Sequence, residues 1–280
     1  MSTVKMNRHH VSKWEVLRVV ILSIVTVIVV LPFVWMILNS FKSADEVLDK
    51  NVIFPTVWHP ENYVLAWNAA PFDIYFKNSI LIALATVVGQ IITSSMAAYS
   101  FAKLKYRLNK PLFMVFLSSM MVPGEATIVS NYLTISGMGL INTFFSVIAP
   151  SIVSVFGVFL LRQFYMTIPD ALMEAARIDG AGEVKVFTSV ILPLGKSAMA
   201  TIAIMGFIAS WNSYLWPLII TSSMELRTVQ TGLRAMIDND LGPTWEQLMA
   251  MATLVIVPVL ILFVCLQKYF VQGITKVGLK

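Results

Sequence analysis

A run of 23 residues without a charged side chain spans residues 19–41 and reads VVILSIVTVIVVLPFVWMILNSF. An α-helix needs about 20 predominantly apolar residues to cross the hydrocarbon core of a bilayer. The run is longer than the roughly 7–15 apolar residues of a signal peptide, and no Ala-x-Ala cleavage site follows it. The sequence therefore predicts an uncleaved membrane-spanning helix.

Comparable charge-free runs lie at residues 78–102, 197–224 and 247–267. Residues 111–161 contain a single charge, Glu125, and are long enough for two crossings joined by a turn. We therefore predict an all-α, polytopic membrane protein with six transmembrane helices in a single domain over residues 1–280. The predicted spans are residues 16–38, 76–102, 111–135, 143–162, 197–220 and 247–270.

The overall composition agrees with a membrane protein. Of the 280 residues, 58% are apolar and 12% are charged, and the mean hydropathy is +0.78. A soluble domain is about 45–50% apolar and about 25% charged. This balance excludes a disordered chain and argues against a soluble one, and the single cysteine excludes a disulfide framework within the chain.

The net charge of +5 is best explained by orientation in the membrane. The basic residues lie between the apolar runs rather than on one face of a soluble domain, so we predict no nucleic-acid partner. With six spans both termini lie on one side, and placing them in the cytoplasm puts 15 of the 20 Lys and Arg there. The positive-inside rule favours this multi-pass topology in the cytoplasmic, or inner, membrane.

Residues for catalysis are scarce. The sequence has no His-Glu-x-x-His and no Gly-x-Ser-x-Gly motif, and no gap between spans reaches the roughly 50 residues of a small domain. We therefore predict a non-enzymatic chain with no catalytic residue, no metal site, no cofactor of its own and no ATPase domain.

The predicted spans contain almost no ionisable groups, and the one candidate for a group inside the bundle is Glu125, which follows a predicted helix break at Pro123-Gly124. Two interpretations stay open, a group that lines a translocation path or a carboxylate solvated near the outer face. Ion-coupled transporters normally bury several ionisable groups in their helices. Their scarcity here indicates that the energy for any transport comes from another source.

The loop at residues 163–196 predicts two short helices joined by a glycine bend. Pro169 and an acidic residue after it suit the start of a first helix, and Glu174 and Arg177, three residues apart, can pair on one face of it. Gly180 ends this helix, and a second helix runs from residue 183 to about 192, where Pro193 stops it.

Small residues near the bend, among them Ala175, Ala176 and Ala181, allow another surface to approach closely. Two interpretations follow from the pattern. One is a docking element for a cytoplasmic partner, and the other is an amphipathic hairpin that rests on the membrane surface.

The order Glu174-Ala175-Ala176, Gly180 and Leu192-Pro193 resembles the EAA loop of ABC-importer permeases, with Val190 where isoleucine is usual. The resemblance covers nearly the whole chain. It is strongest to carbohydrate-uptake permeases of the maltose-transporter type, which are inner-membrane components of binding-protein-dependent transport systems. The similar segments are Asn78-Ser79, 121–125, 139–143, 211–218, 226–228 and 269–275.

This resemblance implies a type I ABC importer permease fold and an importer of five parts. The implied partners are a second homologous permease, two cytoplasmic ATPase subunits that hold ATP and Mg, an extracytoplasmic binding protein, membrane lipid and a carbohydrate substrate. The resemblance also implies that the EAA loop couples the permease to the ATPases. The implied coupling residues are Glu174, Ala175, Ala176, Arg177, Asp179, Gly180 and Pro193.

The fifth predicted span carries aromatic, amide and hydroxyl groups that suit a sugar path: Trp211, Asn212 and Tyr214. The alternative is an interfacial aromatic belt, to which we assign Trp216. Polar side chains at 90 and 93–95 in the second span suit hydrogen bonds between helices better than a pore lining. The substrate stays open between an oligosaccharide and a glycerol phosphodiester, and the alternative function is an ion- or proton-coupled secondary transporter.

Overall fold

The computed structural model describes residues 13–238 and 244–278, with side chains as far as residue 267. Every regular element in this part of the chain is helical. The α-helices are α1 (Lys13–Asn39), α2 (Ala44–Leu48), α3 (Glu61–Asn68), α4 (Phe72–Lys103), α5 (Asn109–Ser118), α6 (Ile128–Gly137), α7 (Phe144–Ile148), α8 (Val155–Met166), α9 (Asp170–Ile178), α10 (Glu183–Val186), α11 (Leu192–Leu194), α12 (Lys196–Trp211), α13 (Leu215–Ile220), α14 (Val229–Ile237) and α15 (Trp245–Gly278). Shorter turns lie at Ser119–Met121, Gly124–Thr127, Ala149–Ser151, Phe187–Ile191 and Met224–Leu226.

Three helices are long and apolar enough to cross a membrane unaided: α1, α4 and α15 as far as Gln267. They coincide with the first, second and sixth predicted spans. Three further pairs of helices qualify only when taken together across a bend, so the described residues reach six spans if each bent pair crosses once.

The third predicted span is broken where the sequence predicts. The helical run Asn109–Met121 and the run Gly124–Gly137 meet at 96°. Pro123, which has no N–H to donate, lies in extended backbone between them with φ −59° and ψ 137°. The fourth span is also bent, by 45°, between Phe144–Ser151 and Val155–Met166.

The prediction of one continuous helix over residues 197–220 was wrong. Helix α12 ends at Trp211, and α13 begins at Leu215. The backbone of Asn212, which caps α12, leaves the helix with φ −87° and ψ 0°. At its other end α12 meets the helical run Glu183–Leu194 at 74°. The charge-free run therefore holds two helices rather than one.

The described residues form two compact units. The first comprises residues 13–66 and 244–253, and Lys42 is fully buried in it. Its ammonium donates a hydrogen bond to the carbonyl of Val52 at 2.7 Å and lies 4.7 Å from the centre of the Trp35 ring. Helix α1, in contrast, exposes most of its apolar side chains.

The second unit comprises residues 67–238 and 254–278, and helices α4, α8 and α12 pack together at its centre. Polar side chains of α4 link it to the segment before α8, as predicted. Within a bilayer such hydrogen bonds and small residues hold helices together, because lipid tails are as apolar as the helices themselves. The bonds run from Gln90 to the Ser151 carbonyl at 2.8 Å, from Thr93 to Ile152 at 2.8 Å and from Ser94 to Ser154 at 3.4 Å.

Candidate functional site

Residues 169–195 form the two-helix element that the sequence predicts, which we call the coupling hairpin. Pro169 precedes α9 with φ −60° and ψ 134°, and the helix begins at the next residue. Met173 points inward and is buried in the core with Leu161, Tyr165 and Val186. Because one side of α9 is anchored in this way, its other side is presented to the surroundings.

The bend between the helices requires glycine at position 180. Gly180 has φ +83°, in the left-handed region. The amide of Gly180 donates to the carbonyl of Arg177 at 3.0 Å, and the amide of Ala181 donates to that of Ala176 at 2.9 Å. These two bonds form a Schellman motif, which closes a helix end. A Cβ atom at position 180 would meet nothing within 4 Å, so the backbone angle alone demands glycine.

The second helical run does not stop at Pro193, and that prediction was wrong. The run begins as α10 and widens into a π-helical turn at Phe187–Ile191. It ends as α11 at Leu194, beyond the proline. A proline inside a regular α-helix leaves one carbonyl without its N–H partner and clashes with it. The wide turn directly before Pro193 changes the register at that point, so the run continues for one more residue.

The predicted pair between Glu174 and Arg177 does not form. Arg177 instead reaches across the bend, and its Nε donates to Glu183 Oε1 at 2.9 Å. The Tyr99 hydroxyl of α4 donates to the other oxygen of Glu183 at 2.6 Å. The bonds from Arg177 and Tyr99 hold the pKa of the Glu183 carboxyl below its usual value.

A second polar contact fixes the start of α9. The side chain of Lys103, at the end of α4, is only 5% exposed, and its ammonium lies 2.6 Å from both Asp170 Oδ1 and the carbonyl of Ile168. The hydrogen bond from Lys103 holds the pKa of the Asp170 carboxyl below its usual value. Both helices of the coupling hairpin are thus bonded to one transmembrane helix, α4.

The exposed side of the hairpin carries most of the predicted coupling residues. Glu174, Ala175, Asp179 and Pro193 are exposed, and Ala176 is half-buried. Glu174 has no hydrogen bond or ion pair with the part of the chain that the structure describes. A carboxylate and a small-residue surface are therefore free to meet a partner.

A cavity of about 220 Å³ lies between α4, α12 and the segment before α8. Hydroxyl groups dominate its polar lining, and no charged side chain contributes. Thr86 is 1% exposed, and its hydroxyl has no partner in the described part of the chain. A buried polar group without a hydrogen bond costs free energy, so this site suits water or a hydroxylated ligand. The lining hydroxyls belong to Ser79, Thr86, Ser151, Ser154, Ser210, Ser213 and Thr228.

The sequence analysis missed this hydroxyl cavity. Its polar residues come from segments that lie far apart along the chain, so no local motif marks them. Two of the predicted path residues, Glu125 and Tyr214, lie at a neighbouring cavity of about 370 Å³. The structure therefore brings together the helix break after α5 and the break after α12.

The other aromatic residues of this segment are packed. Trp211 is 1% exposed, its ring stacks on Phe207 at 5.6 Å, and its indole N–H donates to the carbonyl of Val255 at 3.1 Å. The indole N–H of Trp216 donates to the carbonyl of Ser146 at 3.1 Å. Asn212 is exposed and accepts a bond from a glutamine of α14 at 3.4 Å. Trp211 thus has no free polar group in this structure, whereas Asn212 remains accessible.

Comparisons with known proteins agree with this arrangement. The profile of the family described as binding-protein-dependent transport system inner membrane component matches residues 89–276. The chain is 36% identical over 219 residues to the sn-glycerol-3-phosphate transport system permease protein UgpE of Yersinia enterocolitica, covering 78% of this chain and 77% of that protein. It is 32% identical over 252 residues to the probable ABC transporter permease protein YurM of Bacillus subtilis, covering 89% and 83%.

A solved structure shows the same fold. It is a chain of a bacterial ABC transporter involved in the import of the acidic polysaccharide alginate. The TM-score is 0.82 at 24% sequence identity, and the match covers 92% of this chain and 96% of the other.

The helical membrane fold and the hairpin at its end define an ABC importer permease, as the sequence predicts. The chain belongs to the family of binding-protein-dependent transport system inner membrane components. A permease of this class works in general with another permease, an ATPase and a binding protein.

Proposed function

We propose that this permease forms a translocation path with a second, homologous permease and is driven by two cytoplasmic ATPase subunits. An extracytoplasmic binding protein delivers the substrate, and ATP and Mg bind to the ATPases while this chain itself stays non-catalytic. The observation that carries the proposal is the coupling hairpin. It presents an unpaired carboxylate and small residues on one side and is bonded to transmembrane helix α4 on the other.

The direct test of this proposal is to measure which energy source drives uptake. In a strain or vesicle that holds the whole transporter, we expect uptake to stop when the nucleotide-binding lysine of the ATPase subunit is replaced. Uptake should persist for several minutes after an uncoupler removes the proton gradient. The opposite pattern would favour the alternative, an ion- or proton-coupled secondary transporter.

The substrate that we propose is a carbohydrate or a hydroxyl-rich derivative of one. UgpE carries sn-glycerol-3-phosphate in its name, and the alginate importer handles an acidic polysaccharide. The hydroxyl cavity supports this class, because rows of serine and threonine hydroxyls exchange hydrogen bonds with hydroxylated ligands in either direction. Glu125, Tyr214 and Asn212 are the further residues that we propose for the path.

Replacing Thr86 by valine tests the cavity. Valine has nearly the same shape, and the threonine hydroxyl has no partner to lose, so thermal stability should be unchanged or slightly higher. We expect substrate uptake to fall by about tenfold, which corresponds to one hydrogen bond to the substrate. Uptake kinetics and a melting curve of the purified complex measure both effects.

Thr93→Val is the matched control. The Thr93 hydroxyl lies 2.8 Å from the carbonyl oxygens of both Gly89 and Ile152 and donates its one proton to this pair, so the same change should lower stability. Uptake per folded complex should stay normal. Wild-type uptake in Thr86→Val would remove this cavity from the path.

We propose that both termini and the coupling hairpin face the cytoplasm. Single cysteines at two exposed serines test this orientation in a Cys265→Ser background. Ser222→Cys should react with an impermeant thiol reagent added outside, and Ser189→Cys, on the hairpin, should react only after the membrane is permeabilised. Labelling of position 189 from outside would show that the hairpin faces the opposite side of the membrane.

A further inference from the structure

A basic groove of about 670 Å³ lies where α4 ends and α5 begins, and it shares no lining residue with the two cavities described above. Four cationic side chains line it, and none of its lining residues is acidic. The apolar part of the lining includes Phe101, Leu104 and Pro111. The cations are Lys105, Arg107, Lys110 and Arg162.

None of the four cations forms an ion pair with a carboxylate among the described residues, although Lys105 lies close enough to Asp170 of the coupling hairpin to attract it electrostatically. The ion pairs of this part of the chain involve other side chains. Among the four cations, Arg162 gives the strongest indication of a bound anion, because it is half-buried. Its Nε donates to the carbonyl of Phe101 at 3.2 Å, and its guanidinium lies 4.0 Å from the centre of the Phe113 ring. These contacts hold Arg162 in place but leave its charge and its terminal N–H groups without an anion, whereas partly buried charges are normally paired.

The start of α5 adds to the positive electrostatic potential of the groove. No side chain caps this helix of 10 residues. The amide of Asn109, which would suit a cap, instead donates to the carbonyls of Ser100 and Leu104. The positive end of the helix dipole is therefore directed toward the groove region without a neutralising group, which favours a bound anion.

The position of the groove indicates the source of that anion. Helix α4 and the helix pair that begins with α5 are both membrane spans, so their junction lies at the bilayer surface. Leu108 and Leu112 beside the groove are 57% and 48% exposed. Basic pockets between transmembrane helices, bordered by apolar surface, suit lipid headgroups, whose acyl chains cover such surface.

We propose that this groove binds the phosphodiester headgroup of an anionic phospholipid. Arg162 supplies a fixed guanidinium, and the three exposed cations, two in the loop and Lys110 in the first turn of α5, add to the attraction. Lys103, which holds Asp170 of the coupling hairpin, lies two residues before Lys105. A lipid bound here stabilises the end of α4 on which the hairpin rests.

The test uses the whole purified transporter with phosphatidylglycerol, phosphatidylcholine or inorganic phosphate. We expect phosphatidylglycerol to raise the melting temperature by several degrees and the other two to have little effect. The variant Lys105→Gln/Arg107→Gln/Lys110→Gln should weaken phosphatidylglycerol binding about 100-fold, since each basic residue at a membrane surface contributes about 1 kcal/mol. Lipid titration followed by native mass spectrometry measures the affinity.

The matched control removes three exposed cations elsewhere, Lys50→Gln/Lys77→Gln/Arg234→Gln, and should bind phosphatidylglycerol as the wild type does. Arg162→Gln should also weaken phosphatidylglycerol binding. If this change at a half-buried residue lowers expression, the groove variant Lys105→Gln/Arg107→Gln/Lys110→Gln provides the test instead. Equal binding by the two triple variants would overturn the proposal. So would an equal shift with inorganic phosphate, which would indicate a free-anion site. The proposal would also be overturned if the groove variant Lys105→Gln/Arg107→Gln/Lys110→Gln lost ATPase association but still bound phosphatidylglycerol, because the groove would then be a contact surface for the ATPase.

Discussion

Replacing Gly180 by proline is expected to abolish uptake while the permease still inserts into the membrane at normal levels. Proline fixes φ near −65°, whereas Gly180 has φ +83°, so the bend cannot keep its shape. The proline also lacks the N–H that bonds to the carbonyl of Arg177. The two helices of the coupling hairpin then lose their relative orientation. Uptake, the amount of permease in the membrane and ATPase co-purification measure the effect.

Alanine at two neighbouring glycines provides the matched control. Gly182 has φ −70° and open space around it, so Gly182→Ala should be neutral. Gly180→Ala puts the same methyl group into equally open space but at a left-handed backbone angle, which costs roughly 1–2 kcal/mol. We therefore expect a partial loss of uptake in Gly180→Ala and no loss in Gly182→Ala. Normal uptake in Gly180→Pro at normal expression would contradict the role of the bend.

The bend illustrates what the sequence determines locally. A glycine after a run of helix formers predicts a left-handed helix end, and the Schellman motif at Gly180 follows from that chemistry. The break at Pro123 is equally local, because the missing N–H of proline acts within one turn. The break at Asn212 escaped prediction because Asn212, Ser213 and Tyr214 are uncharged, and charge-free runs do not reveal where a helix ends inside them.

The partner of Arg177 could not be predicted from helix spacing. Glu174 is its neighbour on the helix, but the bend returns Glu183 to a position where it meets both Arg177 and Tyr99. A carboxylate that accepts two hydrogen bonds from an arginine and a tyrosine satisfies both donors at once, which a surface pair with Glu174 does not. The tertiary arrangement therefore overrides the local pairing rule.

The candidate substrate path also combines features that are visible in the sequence with features that arise only from tertiary packing. Individual residues such as Asn212 and Tyr214 stand out in the sequence by their chemistry. The hydroxyl cavity becomes visible only when α4, α12 and the segment before α8 are packed together, because Thr86 and Ser210 are separated by more than one hundred residues. Conversely, Trp211 has the chemistry of a sugar contact, but its burial and its bond to Val255 direct it into the bundle.

Glu174→Lys is expected to give a permease that inserts normally but transports little. Glu174 is exposed and makes no contact with the described chain that the change would break, and lysine forms helices about as well as glutamate. The stability of the hairpin should therefore stay close to that of the wild type. A hydrogen bond to a charged group contributes about 1.5–3 kcal/mol, so its loss weakens ATPase docking tenfold or more.

Graded changes at Glu174 separate docking from folding. Glu174→Gln keeps the shape and one acceptor, so it should retain part of the ATPase association that Glu174→Lys loses. If a basic group of the ATPase receives this carboxylate, reversing that group to an acid should restore docking to Glu174→Lys and to no other variant. Unchanged ATPase co-purification and uptake in Glu174→Lys would place the docking contact elsewhere. Helix α9 would then serve to hold the hairpin in place, through the burial of Met173 and the contacts of Asp170 and Arg177.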